Sequence, residues 1–500
     1  VNPGKVWLVG AGPGDPGLLT LKGARAIAGC DALVYDALVS RAILSLAPAG
    51  CEKIYVGKKA REHTLAQSEI AALLVELARA GKRVVRLKGG DVFVFARGGE
   101  EAQALRAAGV PYEIVPGVSS AIAGPAYAGI PVTHRAHNAS FSVSTGHEDP
   151  IKGYTSLDYA KLAGPKSTTI FLMAMGNLAG ITAELRAHGL AGDTPVAIVR
   201  EATTPRQETL VATLDTIVAE VERTRFAAPA VVVIGSVVNE RATSRWFDDH
   251  PLFGKRVLIT RPLAQADDFA LRLWEAGAEP IVAPTIAIGP PDDPAAAERA
   301  VTRVREYAWV AFTSRNGADA FFARLDAQGR DARAFGDTHV AAIGPKTAEA
   351  LTERGIRVDF VPDQHVNEAV GDGLIARTAP GDRILIFRAQ EARESLPDTL
   401  RAAGRSVDVV AAYATHPVID QNVAAGVRDA DIVTFASASA VKGLIANVPD
   451  AATALAGKTV ATIGPITARA ARDAGIAVDV VADDFTVDGL LRALAAGAVA

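Results

Sequence analysis

Charged residues stand at the ends of short β-branched runs, beside glycine turns, at several places in this 500-residue sequence. Asp36 closes ALVYD, Gly89-Gly90-Asp91 close RVVRLKGGD, and Arg97 and Glu100 follow across a loop that carries two phenylalanines. A glycine turn lets a ligand approach the backbone closely, and carboxylates beside basic groups can hold a polar substrate and move protons. Read singly, each of these residues is a solvated surface charge. Their common placement, for Asp36 and Arg97 above all, marks a site. Lys58, within KKAR, fits a solvated charge run equally well.

The run VWLVG leads directly into GAGPGDPGLLTLKGARAI at 10–27, a glycine loop opening a helix. The dinucleotide fingerprint needs a third Gly or Ala where this chain has Asp15, whose carboxylate would repel a pyrophosphate. Pro13 removes one backbone donor from the loop. A neutral or cationic ligand suits it better, although Asp36 at the end of the second strand could hold a ribose, so the dinucleotide reading stays open. His134 and His137 have no carboxylate or Cys at metal-site spacing beside them, and no metal is expected. Met173 and Met175, the two methionines present, are by spacing core filler.

An internal repeat marks the second half. VAFTSRNGADAFF at 310–322 resembles VTFASASAVKGLI at 433–445, and VAAIGPKTAEALTERGIRVDFVPD at 340–363 resembles VATIGPITARAARDAGIAVDVVAD at 460–483. In each copy a strand ends at a Ser, Thr or Gly turn that opens a helix, whose free N–H groups attract anions. Taken singly, such Ser and Thr residues are ordinary N-caps; as a pair of facing lobes they suit a polyanion.

Strand runs alternate with Ala/Leu/Arg-rich amphipathic stretches almost throughout, the pattern of an α/β protein with crossover helices. The length suits two units of about 250 residues. The pattern breaks between Asn239 and Gly254, which places a linker at 241–253, and the Gly/Pro-rich segment 115–131 is a candidate hinge within the first half. The apolar run from Ala227 to Val238 contains Pro229 and Gly235, is too short for a bilayer span, and reads as a buried strand. Net charge is −4, against a nucleic-acid binder, and Cys30 and Cys51 alone support neither a disulfide framework nor a four-thiolate site. Neither a secretory signal nor a membrane segment is evident, so a cytoplasmic protein is expected.

With GAGPGD, YDALVS, VGKKA, PGVSSAIAGPAYAGIPVTHR, STGH and TTPRQ, the stretch VVRLKGGDVFVFARGGEEAQAL at 84–105 resembles the uroporphyrinogen-III C-methyltransferases, within the class III tetrapyrrole methylases, in register from about Val6 to about Glu240. The resemblance implies two α/β subdomains, about 1–115 and 116–240, holding S-adenosylmethionine between them against Pro13, Gly89, Gly90, Asp91, Val94, Ser119, Ser120, Met173 and Ala202. It implies methyl transfer to pyrrole carbons of uroporphyrinogen III, giving precorrin-2 for sirohaem or cobalamin synthesis. Asp36 is the implied proton acceptor and Lys58 the donor. Arg97 and Glu100 are similar to residues of substrate handling or proton removal, and Arg135 with Arg97 would hold substrate carboxylates. A homodimer through this half is carried over as well. Val92, Ala96, Leu172 and Ala202 stand where the family commonly has Pro, Gly, Tyr and Gly.

After Lys255, TRP at 260–262, FTSRNGADAFF, ILIFRAQEARESLPDTLRAAG at 384–404, AAYATHPV at 411–418 and IGPITARAARDAG together resemble the uroporphyrinogen-III synthases. The implied fold has lobe one at 254–288 plus 417–500 and lobe two at 289–416. Hydroxymethylbilane would lie between them, lose its hydroxyl as water and close with ring D inverted, without a cofactor. Tyr413 matches the family's acid or proton-positioning residue, though a tyrosine after an apolar run is as well explained by packing. Ser314, Ser437 and Thr467 are the candidate carboxylate contacts. The competing readings are a nucleotide-dependent oxidoreductase, and a methylase fused to a non-catalytic anion-binding module.

Overall fold

The strands Lys5–Gly10, Ala32–Tyr35, Glu52–Tyr55, Arg83–Lys88 and Tyr112–Val115 form one parallel sheet, in the order 52–55, 32–35, 83–88, 5–10, 112–115. The structure, a computed structural model, describes residues 4–57, 66–147, 155–364 and 366–498. Helices cover such a sheet on both faces, which is why its strands read as continuous apolar runs. The chain leaves 5–10 toward 32–35 on one side and leaves 83–88 toward 112–115 on the other. These two adjacent strands therefore diverge at their carboxyl ends, a switch point where open α/β sheets bind ligands.

A second sheet, ordered 140–145, 167–172, 230–234, 195–200, 208–213, is mixed. Its centre is Ala230–Ile234, antiparallel to both neighbours and buried along most of its length, as expected for the apolar run around it. The segment read as a hinge contains instead the helix Ser120–Tyr127, packed on this sheet. A Cβ on Gly124 would stand 3.4 Å from Val231 Cγ2.

The expected linker 241–253 is also packed. Trp246 donates its indole N–H to Ala126 O at 3.0 Å, Phe247 is buried with its ring edge-on to Tyr127, and Leu252 is buried. Aromatic burial outweighs the polar composition that suggested a linker.

The second half contains two more sheets, ordered 279–282, 256–259, 432–435, 459–462, 480–481 and 286–289, 406–417, 383–389, 309–312, 339–342. The repeat is exact in its local devices. Asp359 accepts from Val340 N and Asp479 from Val460 N, each at 2.8 Å. One expected boundary is shared: Ile286–Gly289 pairs antiparallel with Ser406–Pro417 and so extends the lobe-two sheet, while the Ile286 side chain packs in the lobe-one core. The buried Thr285 hydroxyl, bonded to Thr260 O and Ala440 O, fixes the crossing point just before it.

By compactness the chain divides into Val1–Arg256 with Leu271–Pro280 and Ala495–Ala500, and Val257–Ala270 with Ile281–Leu494. Among the described residues no helix is long and apolar enough to cross a membrane.

Candidate functional site

The floor of the first site is backbone against backbone. A Cβ on Gly117 would lie 2.4 Å from Gly90 O and 2.7 Å from Gly10 C, and one on Gly10 would lie 2.6 Å from Gly117 N. Gly12 and Gly90 exchange N–H···O bonds at 3.1 and 2.7 Å, tying together the loops that leave the two divergent strands. Gly90 has φ +69°, yet a Cβ there would meet nothing nearer than Ser120 N at 3.9 Å and Ser119 Cα at 4.0 Å. Closed below, this cradle leaves room beside Gly90 for about one carbon in ordinary contact with Ser119 and Ser120. Ser119 Oγ itself caps the helix by accepting from Ala121 N at 3.3 Å.

Asp91 and Asp15 hold loops. Asp91 accepts from Phe93 N, Val94 N and Gly117 N, so both its oxygens are engaged by main chain and Val94 is presented exposed. Asp15 accepts from Gly17 N and from the Tyr127 hydroxyl, and burial with that bond pushes the Tyr127 phenol up. A short 3₁₀ turn, Pro16–Leu18, separates the glycine loop from helix Leu21–Ala28, which Thr20 already caps. The helix N-terminus a dinucleotide would need is thus removed from the loop. Pro13 is half-buried, and the next residue, Gly14, abuts the 202–204 loop, where a Cβ would lie 2.7 Å from Thr204 Cγ2.

Ala202 is buried beside Gly124, whereas Met173 is exposed at a φ of +56°. The left-handed non-glycine residues among those described are Phe95, Arg97, Met173, Glu201, Thr203 and Arg225. All but Arg225 fall in the three loops that carry Val94, Met173 and Ala202. Costly backbone conformations concentrate where function over-determines the chain.

At the edge of the cradle, Asp36 accepts from Arg86 Nη2 at 2.9 and 3.0 Å. The Arg86 side chain is 2% exposed and that of Asp36 30%, so the carboxylate is gripped from the interior and open outward. The turn after it touches the glycines: a Cβ on Gly89 would lie 3.0 Å from Leu38 Cβ. Behind Arg86, the fully buried Glu101 Oε1 accepts from Arg86 Nε at 3.2 Å, Lys88 Nζ at 3.0 Å and Gln67 Nε2 at 2.9 Å. Burial and the neighbouring Arg86 pull the Lys88 ammonium below its ordinary value against the pull of Glu101. Arg86, Lys88 and Glu101 went unread in the sequence. The signal was there, two basic residues inside the buried run RVVRLK.

Arg97 and Glu100 face each other as a two-pronged exposed pair at 2.8 and 2.9 Å. This pairing holds the Glu100 carboxyl below its usual value and raises Arg97. Arg135 is exposed on the turn 134–138, and Lys58 lies outside the described residues. The fold supplies the carboxylate that local spacing lacked near the histidines: Glu240 Oε1 is 2.7 Å from His137 Nε2, whose Nδ1 is 3.0 Å from Ser236 Oγ. His134, His137 and Glu240 offer ligand atoms within 4.8 Å of one another.

In the second half, Tyr413 and Ser314 meet, with Oη and Oγ 3.1 Å apart. Tyr413 is buried in the lobe-two core at a β-bulge opposite Ala389. Ser314 also accepts from Gly317 N at 3.1 Å as an N-cap, and Ser437 does the same with Ala440 N at 3.2 Å. Thr467 is only 4% exposed and so is its repeat mate Thr347, so this pair points into packing. The structure joins Tyr413 to Ser314 and leaves Ser437 and Thr467 on the other lobe.

Residues 5–218 match the family described as tetrapyrrole (corrin/porphyrin) methylases, and residues 267–492 match uroporphyrinogen-III synthase HemD. A porphyrin biosynthesis protein HemD of Ruminiclostridium josui is 37% identical over 98% of this chain and 97% of its own length. A uroporphyrinogen-III C-methyltransferase of Bacillus subtilis is 39% identical over 74% of this chain and 75% of its own. An S-adenosyl-L-methionine-dependent uroporphyrinogen III methyltransferase of Methanosarcina barkeri is 51% identical over 48% of this chain and 93% of its own. With a relative matched along nearly its whole length and each half falling in its own enzyme family, this chain belongs to the porphyrin-biosynthesis proteins that join a tetrapyrrole methylase to a uroporphyrinogen-III synthase.

Proposed function

We propose that the second half cyclises hydroxymethylbilane to uroporphyrinogen III and that the first half methylates this product twice to precorrin-2. S-adenosylmethionine supplies the electrophilic methyl group, a reading supported by the cofactor in the name of the Methanosarcina barkeri relative. The cradle over Gly90, with Gly89, Ser119 and Ser120 around it and Pro13, Val94, Met173 and Ala202 on the approaching loops, holds the cofactor through backbone and small side chains. Asp91 serves this cradle by fixing loop 91–94 to Gly117.

Asp36 accepts the pyrrole N–H proton as electron density moves to carbon, and Arg86 holds its carboxylate in one orientation. Arg97, Glu100 and Arg135 handle substrate carboxylates, and Lys58 returns a proton. In the synthase half, Tyr413 with Ser314 donates to the departing hydroxyl, which leaves as water. The enzyme works as a cytoplasmic homodimer joined through its methyltransferase half, and its synthase half needs no cofactor.

The observation that carries the methyltransferase reading is the partly exposed Asp36 carboxylate fixed on buried Arg86 beside the glycine cradle. Asp36→Asn keeps an acceptor for Arg86 but loses the base. It is expected to slow methyl transfer by roughly 10² to 10⁴ while calorimetry shows S-adenosylmethionine affinity retained. Full activity in this variant would refute the assigned role.

A further inference from the structure

The repeat in the second half places two arginines at one position of two equivalent strands. RVLITRPLAQAD at 256–267 and RILIFRAQEARE at 383–394 align without a gap, which pairs Arg261 with Arg388 and Asp267 with Glu394. In lobe two the charge is closed: Arg388, its side chain 7% exposed, forms an ion pair with Glu394 and donates to Arg393 O. In lobe one it is not. Arg261 is half-buried, Asp267 is exposed, and the hydrogen-bond partner of Arg261 is the neutral Gln265, with Nη2 to Oε1 at 3.2 Å. Among the described residues no carboxylate stands within ion-pair reach of it. Asp268 acts on it from farther off, and burial lowers the guanidinium's proton affinity despite that carboxylate.

Its surroundings say where the missing anion comes from. Gln265 Nε2 donates to Asn316 Oδ1 at 3.0 Å. Asn316 lies in the first turn of the helix Arg315–Ala327 that Ser314 caps, and Ser314 Oγ is 3.1 Å from the Tyr413 hydroxyl. The line Arg261, Gln265, Asn316 therefore runs from lobe one to the pair proposed to act on the substrate. A guanidinium has five N–H donors in a planar fork matched to a carboxylate, and leaving a charge partly buried without a counter-charge is costly until an anion arrives.

We infer that Arg261 is the receptor for a side-chain carboxylate of the linear tetrapyrrole, held beside Tyr413 by the Gln265–Asn316 bridge. This rests on the synthase reading. Arg261 orients the substrate and takes no part in bond making.

The test uses the full chain with hydroxymethylbilane, measuring KM, kcat and isomer ratio for wild type, Arg261→Gln and Gln265→Glu. The second variant keeps the arginine and supplies the internal counter-ion that Arg388 already has; the Asn316 amide can turn over to donate to it. Both variants are expected to raise KM by about 10-fold, the loss of one charge-assisted contact, with kcat little changed. Melting temperature should equal or exceed that of wild type, because both variants relieve the unpaired charge, and methyl transfer by the same chain should match wild type. A purely structural Arg261 would leave Gln265→Glu with wild-type KM, and that result overturns the inference while wild type still makes the type III isomer. A wild-type chain yielding only the type I isomer overturns the synthase reading and this inference with it.

Discussion

Tyr413 shows how a residue can satisfy two descriptions at once, since its ring is part of the lobe-two core while its hydroxyl reaches Ser314. The two predict different consequences for Tyr413→Phe. Loss of a packing hydrogen bond costs about 1 kcal/mol of stability and leaves the chemistry alone. Loss of a positioned acid slows closure by roughly 10² to 10⁴ and shifts product toward the type I isomer, because hydroxymethylbilane also closes spontaneously without inversion. The second result is expected, and wild-type rate and isomer ratio would return Tyr413 to packing. Asp36 and Tyr413 were legible because each ends or follows an apolar run within a recognisable motif. The partners that give them their geometry were not. Arg86 and Lys88 pass for ordinary charges in a strand until Glu101, on a neighbouring helix, joins them in the interior. Glu240 lies 103 residues from His137, a distance no local spacing reveals.

Among elements, the glycine loops do the positioning, and they differ in kind. Gly117 needs its missing side chain for the floor, with Gly90 O only 2.4 Å from where a Cβ would stand, while Gly99 in the helix Gly98–Ala107 has nothing within 4 Å. Gly117→Ala should lower stability by about 1–3 kcal/mol through overpacking and weaken S-adenosylmethionine binding as the floor shifts. Gly99→Ala, a helical site, should gain up to about 1 kcal/mol and bind normally. Calorimetric melting and cofactor titration of both variants decide the matter, and normal binding by a folded Gly117→Ala chain would separate the floor from the cofactor. Strand runs, the repeat and the buried strand around Val232 were all readable from hydrophobic pattern, because burial on a sheet imposes it. The helix Ser120–Tyr127 was not. Its Gly, Ala and Pro suit close packing on Val231 as well as they suit a flexible joint, and composition does not tell these apart. The docked segment after Asn239 misled for the opposite reason, its few aromatics being buried while its charges face out.

At the scale of the molecule, two enzyme families share one chain, and the product proposed for the second half is the substrate proposed for the first. Where the halves part was visible in the sequence only approximately. Leu271–Pro280 and Ala495–Ala500 group with the first unit although they follow its sequence boundary, and the chain crosses from the first lobe's sheet to the second's just after Thr285. Such assignments depend on contacts far apart in the chain. If the chain carries both steps in sequence, one reaction reveals it. The purified full chain is given hydroxymethylbilane and S-adenosylmethionine with no other enzyme, and the products are separated by isomer and weighed by mass spectrometry. A dimethylated macrocycle of the type III series is the expected product; recovery of unmethylated type I uroporphyrinogen alone would show that neither half does what is proposed for it.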